Sequence, residues 1–185
     1  SRLSDLAPVC FVNGNHEMCV ERHQPERYQK FMDDLKNGGV QVLHNETAWF
    51  WIDGEKVAVT GYELPWEYYR RFSRRHPSVV GMERSIGKRK QDAYQILLTH
   101  NPVFFEEYAA WGADFTFAGH LHGGFIRLPY FGGVISPQFQ LFPKYDHGLY
   151  QMDTSSMVVG AGMGNHSGLF RINNPTEIVT VRIKR

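Results

Sequence analysis

The sequence is poor in cysteine, in long apolar runs and in net charge. Only two cysteines, Cys10 and Cys19, occur in 185 residues. This excludes a disulfide-rich scaffold and favours a reducing compartment, while a single bridge between the two stays open. No apolar run reaches the roughly 18 residues that a membrane-spanning helix needs. A net charge of +1 argues neither for nor against a polyanionic partner. A cytoplasmic or a membrane-peripheral location is compatible with these absences.

The residues that are present predict an α/β fold with a packed core. Hydrophobic residues make up 42% of the chain and aromatic residues 14%, which is typical of a globular protein. Short apolar runs predict strands over residues 7–12, 40–43, 47–52, 57–62, 94–100, 114–120 and 177–185. Helical spacing predicts helices over 25–39, 66–75 and 102–112, with a second short helix after 66–75. Because strands and helices alternate early and strands dominate late, we predict a single domain over 1–185 with helices outside the sheets.

Three histidine-containing motifs follow directly after predicted strands. They are NGNHE (13–17), which reads as a Gly/Asn-rich turn, THNP (99–102) and GHLHGG (119–124). In α/β sheets, ligands bind just beyond the carboxyl ends of the strands. We therefore expect the three motifs to converge on one site.

The pair His120 and His122 has the spacing of two metal ligands. In an extended segment, residues two positions apart point the same way, so both imidazoles would face the site while Leu121 turns into the core. Imidazole nitrogen with amide and carboxylate oxygen suits Mn, Fe, Zn, Co or Ni. One such pair is a weak indication, because most histidines are surface or hydrogen-bonded residues. Three motifs at three strand ends together predict a metal site.

The combined pattern resembles the calcineurin-like metallophosphoesterase family. The residues that carry the match are Gly14-Asn15-His16-Glu17, His100 and Gly119-His120-Leu121-His122. The tail over 158–183 is similar to the single-domain bacterial phosphodiesterase branch, in which a glycine-rich strand, an arginine and a Pro-x-Glu-Ile sequence close the fold. The resemblance covers essentially the whole chain. It implies a metallophosphoesterase-like sandwich of two mixed β-sheets flanked by helices, with the first strands missing here.

The resemblance also implies a reaction and a role for each motif residue. The family uses two divalent transition metals (Mn, Fe, Zn, Co or Ni), and a hydroxide that bridges them attacks phosphorus. By motif, Asn15, His100 and His120 would bind one metal and His122 the other. His16 would be the general acid at the leaving oxygen. Glu17 would hold His16 and favour its protonated form. Phosphodiesters are the leading substrate class and monoesters the next.

Two motifs of the family are absent from the sequence. No Asp is followed two positions later by His, and no Gly is followed directly by Asp. These motifs supply two ligands of the first metal and the bridging carboxylate, so we expect at most one bound metal and little activity from this chain alone. We expect the chain to be the C-terminal part of a longer protein, with an apolar slot and an open sheet edge that another segment or chain fills. The alternative is a binding module that has lost catalysis.

A few polar residues outside these motifs are further candidates. His166 and Arg171 are candidates for contact with substrate, and the alternatives are a loop histidine and a buried salt bridge. The basic run over residues 70–75 is typical of a solvated helix face. Its functional alternatives are a lid or contact with an anionic membrane surface, while nucleic acid is less favoured. The remaining histidines are predicted to be surface or structural residues: His23, His44, His76 and His147.

Overall fold

A six-stranded mixed sheet is the largest unit of the fold. The computed structural model describes residues 2–70, 75–124, 127–128, 132–133, 141–164 and 171–183. The strands in these ranges are β1 (Val9–Phe11), β2 (Val40–Val42), β3 (Thr47–Ile52), β4 (Glu55–Tyr62), β5 (Tyr94–Thr99), β6 (Phe115–Ala118), β7 (Arg127–Leu128), β8 (Gly132–Gly133), β9 (Gly148–Met152) and β10 (Ser155–Val159). The helices are α1 (Asn15–His23), α2 (Pro25–Asn37), α3 (Val79–Ile86) and α4 (Phe105–Trp111). None of the helices in the described ranges is long and apolar enough to cross a bilayer.

The order of strands brings several carboxyl ends to one edge of the sheet. The large sheet has the order β3-β4-β5-β6-β10-β9. Strands β4, β5, β6 and β10 run parallel to one another, while β3 and β9 are antiparallel additions at the two sides. β1 pairs in parallel with β2 in a second, small sheet, and β7 pairs with β8. The α/β prediction is therefore confirmed, although the second sheet is a parallel pair of strands and not a mixed sheet.

The large sheet is covered on both faces. On one face, Met82 of α3 and Trp111 of α4 pack with Leu97 of β5 in the largest buried cluster. On the other face, Cys10 of β1 packs against a cluster that includes Leu43. A Cβ at Gly61 of β4 would collide with the carbonyl oxygen of Leu43, so only glycine allows this close approach of the two sheets. The small sheet is thereby fixed against the large one as a third layer.

The two cysteines do not form the bridge that the sequence left open. Cys10 and Cys19 are both free thiols. Burial raises the pKa of the Cys10 thiol above its usual value. Cys10 is therefore an apolar packing residue between the two sheets.

Three predicted elements differ in the structure. The turn predicted over 13–17 is instead the start of α1 at Asn15, because a local cap satisfies the first backbone donor of that helix. The helix predicted over 66–75 is a 3₁₀ turn at Trp66–Tyr69, and residues 71–74 lie outside the described ranges. The strand predicted over 177–185 is wrong for residues 177–183, which have no strand pairing. An alternating apolar pattern predicts which face of a segment is buried. A strand also needs a neighbouring strand to hydrogen-bond with, and the pattern does not provide one.

Candidate metal centre

The structure brings the three predicted motifs together at the carboxyl ends of the strands. Gly14 follows β1, and a Cβ at its position would lie 2.9 Å from Nδ1 of His100, which follows β5. The backbone N–H of Gly119, after β6, donates to the carbonyl of His100 at 3.1 Å. The rings of His100 and His120 lie 5.0 Å apart between centroids, edge to face. The predicted convergence is therefore present, while the ligand roles of these residues stay a prediction.

The first motif is shaped by the start of helix α1. The carboxylate of Glu17 accepts a hydrogen bond from the backbone N–H of Gly14 at 2.9 Å. This bond satisfies one of the orphan donors at the helix start. The sequence predicted Glu17 as a partner of His16 and missed this capping role. A side chain at position 14 would press on both His100 and Glu17, which explains the glycine there.

His100 is held in the uncharged form. Burial is the main cause that lowers its pKa to about 4; the nearby His122 and His16 act in the same direction, and Glu17 opposes them. The imidazole is therefore neutral at neutral pH, which is the form that binds a metal ion. Since the charges of His16, Glu17 and His122 all act on His100, these three side chains lie near it.

The His120–His122 turn is not extended, so that part of the prediction is wrong. The φ angles of His120 and His122 are 66° and 49°, both in the left-handed region. Such angles cost about 1–3 kcal/mol in a non-glycine residue and persist only where surrounding contacts enforce them. Leu121 is fully buried, as predicted. The N–H of Leu121 donates to the Gly119 carbonyl at 2.7 Å, and the N–H of Gly124 donates to Leu121 at 2.8 Å.

Two residues of the C-terminal tail hold this turn. Asn174 is buried, and its amide nitrogen donates to the carbonyls of His122 at 2.5 Å and Gly124 at 2.8 Å. The guanidinium of Arg171 donates to the carbonyl of Ala161 at 2.7 Å and lies 3.4 Å from Nδ1 of His122. Sequence reasoning missed Asn174. Its one signal was its place before Pro175, which restricts the backbone of Asn174 to extended conformations.

The Pro-x-Glu-Ile sequence fixes the tail to the end of β10. Glu177 accepts a hydrogen bond from the N–H of Ala161 at 2.6 Å and pairs with Nε2 of His147 at 2.8 Å. Burial raises the pKa of Glu177, but the hydrogen bonds from Ala161 and His147 outweigh it, so the pKa lies below its usual value. The structural role predicted for His147 agrees with this contact. His166 lies outside the described residues.

The remaining residues predicted to lie on the surface are histidines and the arginines of the basic run. His23 and His76 are exposed, whereas His44 is half-buried and pairs with Glu63 at 2.9 Å. The prediction of a surface histidine was therefore incomplete for His44, which ties the end of β2 to the end of β4. In the basic run, Arg70 is exposed, and Arg75 is exposed and lies 3.5 Å from Glu67. This pairing is what a solvated face would form.

The donor set fits a transition metal in its chemistry but is not complete. The side-chain oxygen of Asn15 is buried and has no hydrogen-bond partner among the residues that the structure describes, which is an unusual state for an amide unless a cation or water binds it. The neutral imidazole of His100 lies beside His120. Within the ranges that the structure describes, however, no group of three or more His, Cys, Asp and Glu side chains could hold a metal ion. Asn15, His100 and His120 therefore fit as part of a site.

The chain is similar in sequence to several bacterial proteins. No family model matches the chain. No solved structure matches it either. The chain is 30% identical over 129 residues to the uncharacterized protein YpbG of Bacillus subtilis, covering 68% of this chain and 42% of that protein. It is 29% identical over 102 residues to the uncharacterized metallophosphoesterase YkuE of Bacillus subtilis (55% and 35%), and 24% identical over 183 residues to the phosphodiesterase YaeI of Escherichia coli (99% and 61%).

The relatives define a class of protein. Several of them are named as metallophosphoesterases or phosphodiesterases, and the fold of this chain is an α/β sandwich of that type. The chain belongs to the calcineurin-like metallophosphoesterases, at low sequence identity. It spans about a third to three fifths of the length of the relatives described above.

Proposed function

We propose that this protein is part of a metal-dependent phosphoesterase that hydrolyses phosphodiesters. The observation that carries the proposal is the meeting of Gly14, His100 and His120 at the carboxyl ends of three strands. The names of the relatives support a hydrolase of phosphoesters as the general class. Phosphodiesters rank before monoesters because one relative is named a phosphodiesterase.

The proposed ligands follow the donor chemistry of the site. Asn15, His100 and His120 would hold one divalent ion, and His122 would contribute to a second. Bound ions of this kind act as Lewis acids that stabilise charge on the phosphoryl oxygens. The orphaned amide oxygen of Asn15 and the neutral imidazole of His100 support this assignment. The ligand chemistry suits Mn, Fe, Zn, Co or Ni and does not select among them.

His16 is the proposed general acid. It is the second residue of α1, next to Asn15, and its charge acts on His100. In its protonated form His16 would donate a proton to the leaving oxygen, which removes the cost of expelling an alkoxide. Glu17, one residue further along α1, would hold His16 in position.

The described ligand set is partial, so we propose weak or no activity for this chain alone and at most one bound metal. A segment that pairs with β1 would complete the small sheet. Among the described strands β1 pairs only with β2, and its three residues are half-buried. A groove of about 500 Å³ runs beside it, lined in part by Val9, Phe11 and Leu35. An added strand would cover this apolar surface and protect the open edge.

The second candidate function is a binding module on the same scaffold without catalysis. It is favoured by one observation: the described residues contain no complete group of His, Cys, Asp and Glu for a metal. The two functions differ in turnover. The phosphoesterase hydrolyses a diester once its site is complete, whereas the binding module does not.

The test compares His16→Ala with the native protein, in the longest natural form that carries this chain. With a nitrophenyl phosphodiester and manganese, we expect His16→Ala to lower kcat by at least about a hundredfold and to leave metal content unchanged. His23→Ala is the matched control, because His23 lies on the same helix, is exposed and bonds to the carbonyl of Cys19. Native protein that binds manganese but hydrolyses neither diesters nor monoesters would favour the binding module.

A further inference from the structure

We infer that Tyr69 is a positioning residue for the candidate metal centre, and that its ring fixes the orientation of the His100 and His120 imidazoles. The inference rests on the proposed function, since it assigns these imidazoles as ligands. Tyr69 lies outside all three motifs. It belongs to the 3₁₀ turn Trp66–Tyr69, which follows β4.

Three rings from three elements form a mutual contact. The centroid of Tyr69 lies 5.3 Å from that of His120, with an interplanar angle of 68°. It lies 6.2 Å from that of His100, with an angle of 48°. His100 and His120 are themselves 5.0 Å apart at 66°. Edge-to-face and tilted contacts at these distances are attractive and directional, so each ring limits the rotation of the other two.

The side chain of Tyr69 is fixed in place by the residues packed around it. It is 8% exposed and belongs to the largest buried cluster, with Leu64 and Phe104. The ring of Trp66, on the same turn, packs 6.4 Å away. A side chain held in a core cannot yield to its neighbours without opening a cavity. The fixed Tyr69 ring therefore restricts the orientations that the two imidazoles can adopt.

Of the two imidazoles, that of His120 depends more strongly on Tyr69 for its orientation. Its backbone has a φ of 66° on a tight turn, whereas His100 directly follows the regular strand β5. Metal ligands bind well only when packing and neighbouring contacts lock their rotamers beforehand. The Tyr69 ring is the nearest described aromatic neighbour of His120 apart from His100. Removing that ring would free His120 to rotate.

The contact runs through the ring and not through an ionised oxygen. Burial raises the pKa of Tyr69 above its usual value, and the charges of Glu63 and Glu17 raise it further. The side chain is therefore a neutral phenol throughout the physiological range. A phenylalanine would preserve the ring packing, and an aliphatic residue would not.

The experiment uses Tyr69→Phe, Tyr69→Leu and Tyr69→Met, the last as a flexible substitute that fills the core if leucine does not fold. Tyr145→Leu is the matched control. Tyr145 is also buried, and it packs on the rings of Phe105 and Tyr150 in a separate cluster. Two readouts are made on the full chain. The first is the NOE pattern between the His100 and His120 imidazoles in metal-free protein, and the second is titration with Co(II).

We expect the NOEs between the two imidazoles to be lost in Tyr69→Leu and Tyr69→Met and kept in Tyr69→Phe and Tyr145→Leu. Co(II) affinity should fall about tenfold in the first pair and stay within about twofold in the second. Unchanged NOEs in both aliphatic variants overturn the inference, even if the protein binds Co(II). Failure of the native protein to bind Co(II) counts against the proposed function alone, since the NOE result does not depend on metal.

Discussion

The two halves of the candidate metal centre are held in place by different kinds of contact. The Gly14–Glu17 half is shaped locally: the carboxylate of Glu17 caps a backbone N–H only three residues away, and His100 directly follows the strand β5. The His120–His122 half depends on distant residues, since Asn174 reaches the His122 carbonyl across 52 positions. The backbone of the first half is therefore set by its own helix start and strand end. The backbone of the second half is bonded to the docked tail.

This difference has an energetic consequence. The left-handed backbone of His120 and His122 is unfavourable by about 1–3 kcal/mol per residue on its own. The contacts of Asn174 and Arg171 must offset that cost. Damage to the local half should therefore distort the site by direct collision. Damage to the tail should release the turn and leave the first half intact.

The largest effect should come from Gly14→Ala in the local half. The new Cβ would lie 2.9 Å from the His100 ring and 3.0 Å from Glu17, so the ring, the cap or both must move. We expect a loss of about 1–3 kcal/mol in the free energy of unfolding, together with loss of Co(II) binding. Urea unfolding and Co(II) titration measure the two quantities.

The control for this variant is Gly164→Ala, because a Cβ at Gly164 meets no described atom within 4 Å. Its unfolding free energy should stay within about 0.5 kcal/mol of native. If Gly14→Ala is as stable as Gly164→Ala and still binds Co(II), the close contact with His100 does not restrict position 14.

A smaller and more selective effect is expected from Asn174→Ala in the distant half. The variant leaves the carbonyls of His122 and Gly124 without their buried donor. An unsatisfied buried group costs about 1–3 kcal/mol, and relaxation of the turn should bring the cost toward the lower end. NMR of the imidazoles should register disturbance at His120 and His122 and little change at His100.

Thr176→Ala provides the comparison, since Thr176 is exposed on the same tail. It should behave as native protein in both unfolding and NMR. An equal disturbance of His100 and His120 in Asn174→Ala would contradict the division of the site into two independently held halves.

The same division explains what could be predicted from the sequence. The meeting of His100 and His120 follows from strands that alternate with helices, because parallel strands end at a common edge. The conformation of the His120–His122 turn could not be predicted, because Asn174 bonds to it from 52 positions away. The neighbouring Pro175 restricts the backbone of Asn174 but does not indicate its partner. Helix α1 was missed because its cap is a single hydrogen bond from Gly14 to Glu17. Tyr69 was missed because ring packing across three elements has no sequence period.

The smallest effect should come from Glu177→Gln, which tests how the tail itself is anchored. Glutamine can still accept the N–H of Ala161 but loses its charge beside His147. At pH 7 we expect a loss of about 1 kcal/mol in the free energy of unfolding, the scale of one hydrogen bond. The pKa of Glu177 lies below its ordinary value of 4.5, so its contribution is complete above that pH and is lost as the pH falls through the lower pKa of the folded state.

The stability gap between native protein and Glu177→Gln should therefore narrow as the pH falls below 4.5, as followed by urea unfolding at each pH. Glu26→Gln is the matched control, since Glu26 is an exposed carboxylate on α2, away from the tail. A gap that stays constant down to acid pH would mean that Glu177 acts through its shape and not its charge. Stronger disturbance at His122 than at His100 in Glu177→Gln would extend the dependence of the distant half from Asn174 to the whole docked tail.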